Sequence, residues 1–182
     1  MNTLPHRFVV GLMLLAVGAC APIAIWTEGE VPFVRTPPAV IDRMLEMARI
    51  SGDDIIYDLG SGDGAIVIRA AKQYGVRAIG IEIDEELVRK ARNLALQEKV
   101  DHLVEFRVQD ALTADVSAAT IVTLYMLPEF NAKLRPILDR QLKAGARVVS
   151  HDFEIEGWVA DRVERVEGDL FHDHRILLFV IR

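Results

Sequence analysis

The sequence predicts a doubly wound α/β domain, in which helices cover both faces of a mainly parallel sheet. Three observations carry that expectation. Short apolar runs alternate with helix-length amphipathic segments through most of the chain. A glycine-rich turn, Asp58-Leu59-Gly60-Ser61-Gly62-Asp63-Gly64, lies between the first of those runs and the helix after it. Acidic residues, Asp58, Glu82 and Asp110, recur at or just past successive strand ends. A chain of 182 residues suits one compact domain rather than two. With 51% hydrophobic and 26% charged residues it has the material for a full core, which excludes a disordered chain, a collagen-like repeat and a disulfide miniprotein.

The N-terminus differs from the rest. Phe8 to Trp26 carries no charge; His6 and Arg7 precede it and Glu28 and Glu30 follow. Residues 1–30 therefore read as a signal or membrane-anchor segment, set apart from a domain over 31–182. Val17-Gly18-Ala19-Cys20 resembles a bacterial lipobox, so cleavage and lipidation at Cys20 stand beside a plain anchor as alternatives. Arg7 favours the domain on the outer side, though one arginine fixes little. Cys20 is the sole cysteine, which excludes an intrachain disulfide and a cysteine-based zinc site.

Pro32, Pro37 and Pro38 make the next stretch extended, and Thr36 is placed to cap a helix over Pro38–Arg49 with Ile41, Leu45 and Ala48 as its apolar stripe. Ile55-Ile56-Tyr57 leading into Asp58-Leu59-Gly60 reads as a short buried strand, Ala65–Tyr74 as a helix and Arg77–Glu82 as a second strand. Asp84 caps a helix reaching Lys99, with Glu85/Arg89 and Glu86/Lys90 spaced as i,i+4 pairs. Val104–Val108 and Thr120–Leu124 are strands, Pro128–Leu142 a helix and Arg147–Ser150 a fifth strand. Asp161–Glu167 and Arg175–Ile181 close the chain as a hairpin pair. The short gap before that hairpin leaves room for a loop around Trp158 rather than a helical crossover.

Gly60, Gly62 and Ala65 satisfy a dinucleotide fingerprint, and Glu82 stands where an acid accepts both ribose hydroxyls. Charge separates the two cofactors that this loop suits. A pyrophosphate would face the carboxylates of Asp58 and Asp63, a repulsion of several kcal/mol in a low-dielectric cleft. S-adenosyl-L-methionine has no phosphate and carries an ammonium and a sulfonium. The loop Gly60, Ser61, Gly62, Asp63 and Gly64 then cradles it, Asp58 holds its amino acid end and Glu82 its ribose. Asp110 is placed for the adenine amino group, or else is a turn acid.

The motif Asp58–Gly64 resembles that of S-adenosylmethionine-dependent methyltransferases, and this resemblance implies a methyl acceptor after the fourth strand, at Leu124-Tyr125-Met126-Leu127-Pro128. This stretch lacks the Asn or Asp before paired prolines that serves planar amines. Tyr125 instead offers a ring face and a phenol to an ammonium, or is a core aromatic. His151-Asp152-Phe153 follows the fifth strand. Asp152 is a candidate to orient a lysine and His151 to take its proton, or His151 is a hydrogen-bonded strand-end residue. His172 and His174 read as the polar tip of the last hairpin, with no metal expected. A formal net charge of −6 argues against a nucleic-acid partner.

DLGSGDG with GIEID resembles the first motif of class I S-adenosylmethionine-dependent methyltransferases and its follower. VPFVRTPP, DLGSGDGAIVIRAA, TLYMLPE, LRPIL and VVSHDF together are similar to one branch. It comprises small bacterial and archaeal relatives of the mitochondrial protein-lysine methyltransferases of adenine nucleotide translocase and the ATP synthase c-subunit. The likeness runs from Val31 to about Trp158. It implies a Rossmann-like seven-stranded sheet with its last strand antiparallel, S-adenosyl-L-methionine as cofactor and a protein lysine as substrate. The mitochondrial relatives also have an apolar segment ahead of the domain. A methyltransferase of a small molecule or lipid at the membrane, or a non-catalytic cofactor-binding module, are the alternatives.

Overall fold

The structure is a computed structural model that describes residues 33–168 and 173–182. The N-terminal apolar segment with Cys20, and His172, lie outside the described residues. Among the described residues no helix is long and apolar enough to cross a membrane.

The strands are β1 (Ile55–Leu59), β2 (Arg77–Glu82), β3 (Val104–Val108), β4 (Ile121–Leu124), β5 (Arg147–His151), β6 (Arg162–Val166) and β7 (His174–Val180). The helices are α1 (Pro38–Ala48), α2 (Ala65–Tyr74), α3 (Glu85–Gln97) and α4 (Pro128–Gln141), with a 3₁₀ turn at Ala111–Thr113. The sheet order is β3-β2-β1-β4-β5-β7-β6. β1 to β5 pair in parallel, while β7 runs antiparallel to both β5 and β6, so the expected seven-stranded sheet and its antiparallel last strand are present.

Each face has its own apolar layer. Val40, Met44 and Leu45 of α1, Val67 and Ala71 of α2, and Val88 and Ala91 of α3 pack on one side. Leu134 and Leu138 of α4, Ala111 of the 3₁₀ turn and Ile155 pack on the other. The link from β5 to β6 is indeed a loop. Trp158 anchors it by packing on Phe179, ring centres 5.5 Å apart, and by donating to Asp139 at 3.0 Å.

Local details partly depart from expectation. Asp84 caps α3, accepting from the backbone of Glu86 at 2.7 Å and Leu87 at 3.2 Å. On that helix Arg89 pairs with Glu86 at i,i+3 spacing rather than with Glu85. Thr36 does not cap α1: Pro37 holds the N-cap position, and the Thr36 hydroxyl is buried 3.4 Å from His151 Nδ1. Two prolines in a row keep Thr36 extended, which aims its side chain away from the helix axis. His174 is not part of a solvated hairpin tip. It is the first residue of β7 and is buried beside His151.

A polar clamp holds the N-terminal edge of the parallel strands. Buried Asp54 accepts from Thr120 Oγ1 at 2.6 Å and from Ser51 N at 2.7 Å, and pairs with Arg147 at the start of β5. Burial alone would raise this carboxyl; the hydrogen bonds from Thr120 and Ser51, with the Arg147 charge, together hold it below its ordinary value. Because the clamp joins the starts of β1, β4 and β5, it fixes how far each strand reaches toward the opposite edge, where the glycine loop lies. Replacing Asp54 by Ala removes the charge partner of Arg147 and the acceptor of the Thr120 hydroxyl, though both keep backbone partners, so Asp54→Ala should cost about 1–3 kcal/mol of stability in urea unfolding. An unchanged midpoint would show that the clamp is dispensable.

Candidate active site

The glycine loop leaves β1 and turns into α2 at the C-terminal edge of the sheet. The backbone N–H groups of Gly60 and Ser61 donate to Ile81 O on β2, at 2.9 and 3.0 Å. Glu82, the last residue of β2, holds the turn from below. One carboxylate oxygen accepts from Gly62 N at 2.8 Å, the other from Ile83 N at 2.8 Å and Asp84 N at 3.0 Å. Gly60 has φ 79°, and a Cβ there would come 2.6 Å from Met126 Sδ, so only glycine fits. Gly62 is crowded in the same way by the Phe33 ring, and Gly64 caps α2 in the left-handed conformation.

Asp58 lies beneath this loop, 3% exposed, where Thr123 of β4 donates to its Oδ1 at 2.7 Å. Burial pushes its carboxyl up to about 7; the Thr123 hydrogen bond opposes this, while the nearby charges of Glu82 and Asp63 add to it. Asp63 pairs with Arg35 from the extended lead-in, which thereby lies over the loop. Ser61 Oγ is buried with no hydrogen-bond partner among the described residues. Asp110 caps the 3₁₀ turn, accepting from Leu112 N at 2.9 Å, so the turn-acid reading of this residue applies. Its position just past β3 is also the one expected of an adenine contact.

These residues fit a cationic, phosphate-free group. Among the described residues the Asp58 carboxyl has no cation to balance it when it ionises, and the orphaned Ser61 hydroxyl has hydrogen-bonding capacity to offer. A diphosphate would meet Asp58, Asp63 and Glu82 together.

The second half of the site stands at the ends of β4, β5 and β7. The Tyr125 ring lies on His151, centres 3.8 Å apart, with Phe153 6.0 Å away in a stacked arrangement. Burial raises the Tyr125 phenol above its ordinary pKa, and the charge and hydrogen bond of Asp152 raise it further. His151 is fully buried. Its Nδ1 faces Thr36, and its Nε2 lies 2.9 Å from His174 Nδ1 and 3.3 Å from Asp152 Oδ2. The structure thus brings Tyr125, His151 and Asp152 together and adds His174, which sequence reasoning places in solvent. The pairing His151↔Ile176 accounts for the difference: an antiparallel β7 must start where β5 ends. Once that pairing is expected, the His-Asp of residues 151–152 and the His-Arg of residues 174–175 converge.

Asp152 itself has φ 61°, uncommon for a residue with a side chain. Two hydrogen bonds to Arg175 hold it there: Asp152 N to Arg175 O at 2.7 Å, and Arg175 N to Asp152 Oδ1 at 2.8 Å. Beside it opens a cleft of about 890 Å³ between the first turns of α4 and the loop after β5. Glu129, Asp152, Glu154 and Glu156 line it against Lys133 and Arg175, and Arg175 is itself paired with Glu154 at 2.9 Å. The cleft is therefore acidic.

Comparison with known proteins agrees with this chemistry. The profile of the ANTKMT methyltransferase domain matches residues 58–162. A protein-lysine N-methyltransferase of Saccharolobus islandicus (strain REY15A) is 45% identical over 154 residues, spanning 84% of this chain and 94% of that protein. The lysine N-methyltransferase of the ATP synthase c-subunit from Homo sapiens is 34% identical over 158 residues, 85% of this chain and 67% of the relative. Against the Xenopus laevis protein of the same name, 35% identical, the chain spans only 58% of the relative's length. Among solved structures, an RNA methyltransferase from Salinibacter ruber in complex with S-adenosyl-L-homocysteine superposes with a TM-score of 0.75 at 53% identity, over 81% of this chain and 94% of that one. From Asp58 through the start of β6 the match is continuous with the loop and strand ends described above, and the chain belongs to the ANTKMT methyltransferase domain family: it is an S-adenosylmethionine-dependent methyltransferase.

Proposed function

We propose that the chain methylates the side-chain amine of lysine in a protein substrate. The acidic, aromatic cleft beside Tyr125 and Asp152 carries this reading most directly, because lysine is a cation before and after reaction. The lysine N-methyltransferases among its relatives support it. In the cofactor half, Asp58 is assigned to the amino acid end. The loop Gly60, Ser61, Gly62, Asp63 and Gly64 is assigned as the cradle, Glu82 to the ribose hydroxyls and Asp110 to the adenine amino group. When bound, S-adenosyl-L-methionine supplies an electrophilic methyl group.

The remaining work falls to the chain. Free lysine has a pKa near ~10.4, so it enters charged and must lose a proton before it can attack. Asp152 attracts and orients the ammonium, the Tyr125 ring lies against it and the phenol oxygen accepts from it. His151, behind Tyr125, takes up the proton. Positioning dominates, since no covalent intermediate with the protein is needed.

The name of the Salinibacter ruber relative raises RNA as a second acceptor class. The cleft's acids would repel a phosphate backbone, which favours protein. The apolar stretch Phe8–Trp26 is proposed to hold the domain at a membrane, as an anchor or through lipidated Cys20, which would bring membrane proteins within reach. Tritiated methyl transfer from the full chain to separated protein, RNA and lipid fractions decides the acceptor. Label on lysine is the expected outcome, and label confined to RNA or lipid would overturn the proposal.

Two predictions concern residues. Asp58 has a raised folded pKa, so the protonated carboxyl contributes stability that is fully present below about pH 4 and lost as pH rises through about 7. Asp58→Asn, which keeps the shape without the charge, should therefore make the ligand-free protein more stable than wild type at pH 8, with the gap closing as pH falls. The same variant should bind S-adenosyl-L-methionine more weakly by roughly 1.5–3 kcal/mol. Near pH 6 the wild type should release a proton on binding, seen by calorimetry in buffers of different ionisation enthalpy. Pairing with a cofactor cation lowers the Asp58 pKa, and identical heats in all buffers would contradict that role.

In the acceptor half, Tyr125→Phe and Asp152→Asn should each bind cofactor almost normally while transfer to lysine falls tenfold or more, about 1.4 kcal/mol of transition-state stabilisation. Undiminished transfer by either variant would remove that residue from the site.

A further inference from the structure

His151, Asp152 and His174 bring three lone-pair donors to one point, a convergence that handling a lysine proton does not require. The three ligand atoms form a triangle: 2.9 Å from His151 Nε2 to His174 Nδ1, 3.3 Å from His151 Nε2 to Asp152 Oδ2, and 3.4 Å from His174 Nδ1 to Asp152 Oδ2. Two of these edges exceed the ~2.7–3.2 Å of good N–H···O hydrogen bonds. Their lengths also match those between donors that share one metal ion. Donors ~2.0–2.1 Å from a zinc-type ion stand about 3.3–3.4 Å apart in a tetrahedron and about 2.9–3.0 Å apart in an octahedron. A circle through the three atoms has a radius of about 1.9 Å, so an ion at ~2.05 Å from each would sit roughly 0.9 Å above their plane.

The groups behind the triangle suit the same purpose. Metal-bound histidine and carboxylate ligands are normally oriented through their outer atoms. Here Thr36 Oγ1 faces the outer nitrogen of His151, and Arg175 N–H donates to the outer oxygen of Asp152 at 2.8 Å. Asp152, whose Oδ2 approaches both rings, has a left-handed backbone with φ 61°. Such backbone strain gathers where a side chain must be held at one point. Imidazole with carboxylate is a donor set that takes zinc and its first-row neighbours rather than calcium or magnesium.

We propose that His151, Asp152 and His174 bind a zinc-type divalent ion, and that the bound ion switches methyl transfer off by occupying the lone pairs of His151 and Asp152. The inhibitory half rests on the lysine reading above; the binding half does not.

The test uses the full chain, stripped with a chelator and then dialysed against zinc. Wild type should retain one equivalent more than His174→Ala or Asp152→Asn, and those variants should bind roughly a hundredfold more weakly. Cobalt(II) in place of zinc should give the visible absorption of an ion in a nitrogen and oxygen site, absent from both variants. If His174→Ala does not fold by circular dichroism, His174→Gln and the Asp152→Asn comparison serve instead. Equal retention by wild type and a folded variant would overturn the site. In the transfer assay zinc should inhibit the wild type, and a chelator should restore it. Undiminished lysine methylation with one zinc bound would overturn the inhibitory half. One bound zinc in a chain that labels no lysine would leave the site standing and remove the lysine reading instead.

Discussion

A buried carboxylate, with no balancing cation among the described residues, governs this molecule. Asp58 is held on the interior strand β1, hydrogen-bonded to a neighbouring strand and approached by two further acids. An ionised carboxyl in that position is unfavourable, so the ligand-free protein holds the Asp58 proton up to about pH 7. Other parts of the cofactor half accommodate that acid. Thr123 donates to it, the glycine loop brings backbone rather than side chains over it, and Arg35 neutralises Asp63 at the rim. A cleft so built suits a ligand that carries its own positive charge better than a diphosphate. Selectivity between cofactors thus begins in one residue's environment before any shape matching enters.

Much of this is legible in the chain. The alternation of strand and helix, the loop after β1 and the acids at strand ends are local patterns, and each is set by residues within a few positions of one another. Asp84 as a cap is of the same kind. What escapes a reading of the sequence depends on partners far away in it. Thr36 beside two prolines looks like a cap, yet its hydroxyl meets His151 on β5. His174 sits among acids and looks like turn material; only the antiparallel insertion of β7 buries it. Glu82 reads as a ribose ligand, and its engagement of three backbone N–H groups follows only from the fold of the loop itself.

The two halves of the site are built differently. The proposed cofactor half is made of backbone turns fixed to parallel strands, with glycines where side chains would collide. The proposed acceptor half is made of side chains, aromatic rings and imidazoles stacked at the ends of β4, β5 and β7. The extended lead-in crosses both, with Arg35 on the loop and Thr36 against His151. A backbone-built pocket tolerates substitution of its neighbours better than one made of packed side chains. Within one family, the acceptor half is therefore the part most readily re-specified.

The insertion of β7 between β5 and β6 also sets an order of events during synthesis. While the chain is emerging, β1 to β5 can already pair in parallel, and the glycine loop can close with Glu82 beneath it. Until β7 arrives, β5 is an open sheet edge with unpaired backbone groups, and His174 has yet to reach His151. The parallel strands that carry the glycine loop therefore do not depend on the last strand, whereas the His151–His174 contact does, and an unpaired β5 would be an edge open to pairing with another chain.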